Sequence, residues 1–206
     1  MSGKGSTNID DIIRAIGQDE ILYHQEYIGE QIEGLNFNRI DLEDVRFVKC
    51  RMTGCDFSSC AIKGVTFDRC NLSNCSWKNS YFRDTVFFEC KGDGSDFSQS
   101  SFIHASINGG SYHYGNFSAT LWKLSEIKNS EFEDSFFSEA KFKNTVFDQL
   151  NLIRTDFFKA QLKGMDLSSC LIDGISVSDT FKELNGLRLN VEQAVVIARL
   201  LGVKFV

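Results

Sequence analysis

The chain has 206 residues, with 22 Lys and Arg against 28 Asp and Glu and a net charge of −6, so it lacks the basic footprint that a nucleic-acid-binding domain needs to neutralise phosphates. No apolar run is long enough to span a bilayer and the polar N-terminus does not resemble a secretory signal, which leads to the expectation of a soluble, cytoplasmic protein with no membrane partner. Proline is absent, so every backbone N–H is available for ladders between segments.

Residues 1–20 read as an N-terminal tail and a short capping helix. Gly3, Gly5 and Ser6 mark residues 1–7 as an expected disordered tail. Asn8 is then placed to cap a helix with Asp11 in its first turn, Ile9, Ile12, Ile13 and Ile16 on one face, and Gly17 as its stop. This helix is expected to cover the open end of the next segment.

Residues 21–189 obey a metre of five. From Ile32 to Val177 thirty positions spaced by five residues carry a large apolar side chain, with one lapse at Gly92, and Leu22 and Tyr27 extend the register backwards. A period of five fits neither an α-helix nor a strand, so the chain must turn once per repeat to bring its apolar residue back inward. The shape that follows is a solenoid whose small coils cover one another's cores. From Phe37 onward, two residues before each large one stands a small or apolar residue and never a charge, as in Val45, Cys50, Cys55, Ser80, Thr85 and Ala105. All seven cysteines, Cys50, Cys55, Cys60, Cys70, Cys75, Cys90 and Cys170, lie in that column, so they read as reduced core residues. Stacked neighbours project in parallel, which is poor geometry for a disulfide.

With twenty residues per coil, each pentapeptide falls on one of four walls. The first, around Ile32 to Ile172, carries Glu30, Glu33, Asp93, Glu131, Glu133, Asp134 and Asp173 against Arg51, Lys91 and Arg154, a net of −4. The second, around Phe37 to Val177, carries Asp56, Asp96, Glu139, Asp156 and Asp179 against Arg39, Lys78 and Lys159, a net of −2. The third, opposite the first, is +2 through Lys63, Arg83, Lys123, Lys141, Lys143 and Lys163, and the fourth is −1. Two adjacent acidic walls therefore face away from a weakly basic one, a pattern that also serves plain solubility. Gly92 removes a large inward side chain, so a bend, bulge or missing volume is expected there unless Tyr112 of the next coil fills it; Gly109 and Gly110 mark a second permissive spot.

After Val177 the metre weakens, with Lys182 at an inward position and Leu187 as the last apolar match. Residues 190–206 read as a helix and a strand. Asn190 caps the helix with Gln193 three residues on, and Gly202 ends it. The helix leaves only Glu192, Gln193 and Arg199 for water, and Val203 to Val206 reads as a short strand. So wide an apolar surface needs two partners, the last coil and, most simply, the same segment of a second chain. Val191, Ala194, Val195, Ile197, Ala198, Leu201, Val203 and Phe205 are assigned to that contact.

The segments Cys55-Asp56-Phe57-Ser58-Ser59, Cys70-Asn71-Leu72-Ser73-Asn74, Ser95-Asp96-Phe97-Ser98-Gln99 and Gly115-Asn116-Phe117-Ser118-Ala119 resemble the motif of the pentapeptide-repeat family. The resemblance implies an all-β solenoid, a right-handed quadrilateral β-helix. The C-terminal module is similar to the one that joins Qnr-type quinolone-resistance proteins end to end. That likeness implies a homodimer, mimicry of duplex DNA, DNA gyrase and topoisomerase IV as partners, and reduced susceptibility to fluoroquinolones. The uninterrupted register leaves no room for the projecting loops of Gram-negative Qnr proteins, so the chain resembles their loopless relatives. About seven and a half coils at ~4.8 Å give a rod of ~35 Å, and an end-to-end dimer approaches the length of about twenty base pairs at ~3.4 Å each. The carboxylates expected to face the topoisomerase are Glu30, Glu33, Asp56, Asp93, Asp96, Glu131, Glu133, Asp134, Glu139, Asp156 and Asp173. The alternative is an interaction scaffold with another protein partner. No enzyme is expected, and no catalytic residue, cofactor or metal: His24, His104 and His113 are scattered, and no phosphate-binding loop or zinc spacing occurs.

Overall fold

The computed structural model describes residues 9–18 and 21–205; the expected tail over residues 1–7, the cap at Asn8 and the terminal Val206 lie outside them. From Leu22 to Leu162 the turn demanded by the metre is made two residues past each large inward side chain. There the backbone enters the left-handed region, with φ of 67° at Arg39, 58° at Asn74, 62° at Gln99 and 52° at Leu124. Glycine, Asn and Asp adopt that conformation most easily, yet the corner recurs whatever residue occupies it, because ladders on both sides hold it in place.

Those ladders are parallel. One sheet runs through seven strands from Leu22–Tyr23 to Lys141–Lys143 and the other through seven from Glu26–Ile28 to Val146–Asp148. Every strand pair is offset by twenty residues, as in Phe82 opposite Phe102 and Phe47 opposite Phe67. These sheets form the third and fourth walls. The first and second walls are held by single bridges at the same offset, such as Asn36 to Asp56 and Arg51 to Asn71. The four-walled solenoid and its early start at Leu22 are therefore as the metre requires, and no loop interrupts the register through these pairs.

The core is a set of ring columns. Phe37, Phe57, Trp77, Phe97, Phe117, Phe137 and Phe157 stack in sequence on the second wall, with centroids 4.1 to 5.8 Å apart. The small column is polar in its function. Most of its thiols and hydroxyls donate to the carbonyl of the large residue in the coil before, as do Cys60 Sγ to Phe37 O at 3.0 Å, Ser80 Oγ to Phe57 O at 2.7 Å, Ser100 Oγ to Trp77 O at 2.6 Å and Thr155 Oγ1 to Phe132 O at 2.9 Å, while Thr120 and Ser130 donate within their own coil, to Phe117 O and Lys128 O. All seven cysteines are buried and unbridged.

At Gly92 no bulge forms. Its N–H donates to Ser111 O at 2.7 Å, and the neighbouring strands Val86–Lys91 and Ser106–Ser111 are each six residues long. The Tyr112 ring occupies the vacant volume so closely that a Cβ on Gly92 would lie 2.6 Å from it. Gly110, with φ of 96°, passes so near the Cys90 carbonyl that a Cβ would collide with its oxygen.

Both ends differ in detail from the sequence reading. The first helix, α1, spans Ile9–Gln18, so Gly17 is helical and does not stop it. Ile12 and Ala15 are buried against the first coil, Ile9 and Ile16 pack beside them, and Ile13 is exposed. At the other end the register slips by two, since Asp166 pairs with Arg188. A 3-10 turn over Lys182–Leu184, entered through Phe181 at φ 53°, takes up the extra residues. Lys182 is consequently exposed rather than inward, and Glu183 is buried in its stead. The second helix, α2, spans Val191–Leu200 and carries both halves of the capping box. Gln193, read as water-facing, is 6% exposed: its Nε2 donates to Leu167 O and Cys170 O, each at 2.7 Å, sealing the last coil's carbonyls. Val203–Phe205 is not a strand, and Arg199 lies over the Phe205 ring.

Candidate functional site

The two acidic walls occupy adjacent sides of the solenoid, opposite the hydrogen-bonded sheets. Their carboxylates are not equivalent. Glu133 and Asp134 are joined by one guanidinium, with Arg154 Nε 2.7 Å from Asp134 Oδ1 and Nη2 2.8 Å from Asp134 Oδ2 while also reaching Glu133. Arg154 holds the Asp134 carboxyl below the usual carboxylate range through that hydrogen bond. Asn151 Nδ2 donates to Glu131 at 2.7 Å, Arg51 pairs with Glu33, and Lys91 lies 3.4 Å from Asp93. The predicted cluster at 131–134 is thus partly neutralised by its own coil neighbour.

Asp56, Asp96 and Asp156 do a second job. Each precedes a large inward residue and accepts the N–H two positions on, from Ser58, Ser98 and Phe158 at 2.9 Å, the Asx turn that fixes the corner. Asn36 and Asn116 do the same. One oxygen of each aspartate is therefore committed to the fold. Among the described residues, Glu30, Glu139 and Asp173 make no side-chain hydrogen bond or ion pair, and they are spread along the length of the two walls.

The assigned dimer residues also divide. Val191 is 88% exposed, and Ala194, Val195, Leu201, Val203 and Phe205 also face water, whereas Ile197 packs against the core and Ala198 is half-buried. The sequence reading missed three exposed aromatics on and beside the second wall, Tyr114, Phe136 and Phe158. Their signal was present, since they stand at outward positions that other coils fill with Gly or a polar or charged residue. Among the described residues no helix is long and apolar enough to cross a membrane, and no group of three or more His, Cys, Asp or Glu is placed to hold a metal.

Comparison with known proteins places this geometry. The sequence matches the pentapeptide repeat region signature over residues 25–80 and 61–137, and the signature for eight copies of pentapeptide repeats over residues 137–174. No curated protein matches it. Among solved structures, a trypsin-treated variant of QnrB1, a plasmid-mediated fluoroquinolone resistance protein, is similar at 21% identity and a TM-score of 0.50, covering 90% of this chain and 98% of its own. HetL, a pentapeptide repeat protein involved in heterocyst differentiation regulation in the cyanobacterium Nostoc sp. strain PCC 7120, is similar at 11% identity and a TM-score of 0.41, covering 88% and 94%. Rfr23 from the cyanobacterium Cyanothece 51142 is similar at 12% identity and a TM-score of 0.43, covering 68% and 99%.

Proposed function

This chain belongs to the pentapeptide-repeat family, and we propose on that footing that it is a binding protein rather than an enzyme. Its two acidic walls imitate the charge of duplex DNA and occupy the DNA-binding surface of a type II topoisomerase, DNA gyrase or topoisomerase IV, lowering susceptibility to fluoroquinolones. The observation that carries this reading is the charge asymmetry along a narrow rod: two neighbouring walls at −4 and −2 against +2 on the wall facing the first. A rod so charged is attracted to a cationic groove evolved for phosphates, and orients its acidic side towards it. The likeness to Qnr-type proteins supports the same partner, and the exposed apolar side of α2 supports assembly into an end-to-end homodimer that doubles the rod. Such a protein works in the cytoplasm, where the topoisomerase acts.

The test is supercoiling by purified gyrase across a titration of the protein, with and without a fluoroquinolone. Relief of drug inhibition at low protein, or loss of supercoiling at higher protein, is the expected result. No effect at micromolar protein would overturn the topoisomerase reading. The Arg154 strap and the Asx turns favour the second reading, a scaffold for another protein, because they divert carboxylates from any display of charge.

A further inference from the structure

We infer that the two acidic walls carry, across the corner between them, an apolar anchor line, Tyr114 on the first and Phe136 and Phe158 on the second, that receives a cationic amphipathic α-helix of a protein partner. The inference rests on the acidic walls being the partner-facing ones, not on the partner being a topoisomerase.

The three residues are spaced by 22, one coil plus two positions, so they run diagonally across successive coils. Phe136 bridges Asn116 and Asp156 in the ladder, with Tyr114 two residues before the first of these and Phe158 two residues after the second. Each step combines ~4.8 Å between coils with up to ~6.6 Å along the chain, which sets the ends roughly 16 Å apart, about three turns of α-helix. Their exposures are 65%, 46% and 41%. Aromatic side chains held in water at this density are the usual anchors of a protein interface.

The fold does not require these rings. At the position of Phe136, Asn36, Asp56, Asp96, Asn116 and Asp156 hold their corner with a side-chain hydrogen bond, and phenylalanine gives that bond up. At the position of Phe158 the other coils carry the polar residues Asn38, Ser58, Lys78, Ser98, Ser118, Ser138 and Ser178. The chain thus forgoes local stabilisation to expose apolar area in an acidic setting.

Charge complementarity identifies the occupant. Asp134 on the wall of net −4 and Glu139 and Asp156 on the wall of net −2 flank the line, so a cationic helix with an apolar stripe satisfies both features. Lys159 Nζ already sits 4.8 Å from the Phe158 ring centroid, the cation–π contact that such a helix would supply along the line. A second copy of this chain would bring a net −6 surface against an acidic wall, which opposes it as the occupant.

The full-length protein is titrated with a synthetic Leu/Lys helical peptide of about 18 residues, and separately with a Lys/Ser peptide of equal length and charge. The wild type is expected to bind the Leu/Lys peptide roughly tenfold more tightly. The double variant Phe136→Asn, Phe158→Ser is expected to lose that preference while melting no lower than the wild type, because both substitutions restore the residue types of neighbouring coils. Equal affinity of the wild type for the two peptides, or an unchanged preference in the double variant, would overturn the inference. So would sedimentation showing that the double substitution disrupts contacts between copies of the chain. A retained preference beside a gyrase titration without effect removes only the topoisomerase reading.

Discussion

Hydrogen-bond donors in the small inward column explain a composition that looks odd on its face, seven cysteines in a chain with no bridge among them. A thiol and a hydroxyl are alike in being small and able to donate to the carbonyl of the coil before, so Cys, Ser and Thr alternate there. Burial pushes the Cys60 thiol up to about 12, which keeps it protonated and donating. The sequence revealed the size of this column but not its chemistry, because Val45 and Ala105 occupy it without donors. Glu183 was invisible for a related reason: the metre pointed Lys182 inward, and only the two-residue slip brings the carboxylate in. It accepts from Lys159 N at 2.6 Å, Ser178 N at 3.2 Å and Ser178 Oγ at 2.9 Å. Burial alone would raise its pKa, but these hydrogen bonds outweigh it and leave the group below its ordinary value. A depressed carboxylate contributes stability that is complete above the unfolded pKa near ~4.3 and is lost as pH falls through the folded value. Glu183→Gln should therefore lower stability by about 2 kcal/mol near neutral pH in urea unfolding, with the gap to wild type closing in acid below the ordinary carboxylate pKa. A gap that stays constant with pH would show that the charge is not what holds the last coil.

The elements at the two ends were legible as elements and not as faces. The capping box of α2 could be read directly from Asn190 and Gln193, but an apolar helix with few polar residues gives no stripe from which to orient it. Orientation comes instead from the last coil's carbonyls, which Gln193 satisfies, and this turns Val196 and Ile197 towards the core and Val191 and Val195 away from it. The proposed homodimer is therefore tested at Val191 and Val195. Val191→Asp with Val195→Asp should give a monomer in sedimentation with melting unchanged, whereas an unaltered dimer would exclude this surface. Ile197→Asp is a poor probe, because it would place a charge in the end plug and unfold it. Within the solenoid, Gly92 and Tyr112 form one unit: the missing side chain of one coil is supplied by the ring of the next, so a lapse in the sequence is continuous packing in space.

At the scale of the whole molecule the solenoid was almost fully legible, since one period governs ring columns, corners and ladders alike. The charge of each wall was legible for the same reason. What the register could not supply was how much of that charge is free, because Arg154 reaches back one coil to Glu133 and Asp134, and Asx turns occupy Asp56, Asp96 and Asp156. Charge that remains available for a partner rests most clearly on Glu30, Glu139 and Asp173, which lie outside such contacts. The central claim, that the acidic walls substitute for DNA, is tested most directly by displacement of a labelled DNA duplex from gyrase, using the wild type and a Glu30→Lys, Glu139→Lys, Asp173→Lys variant of matched stability. The account predicts that the wild type displaces the duplex, less so as salt rises, and that the variant does not. Equal displacement by both, or wild-type protein bound to gyrase beside an undisturbed duplex, would contradict it.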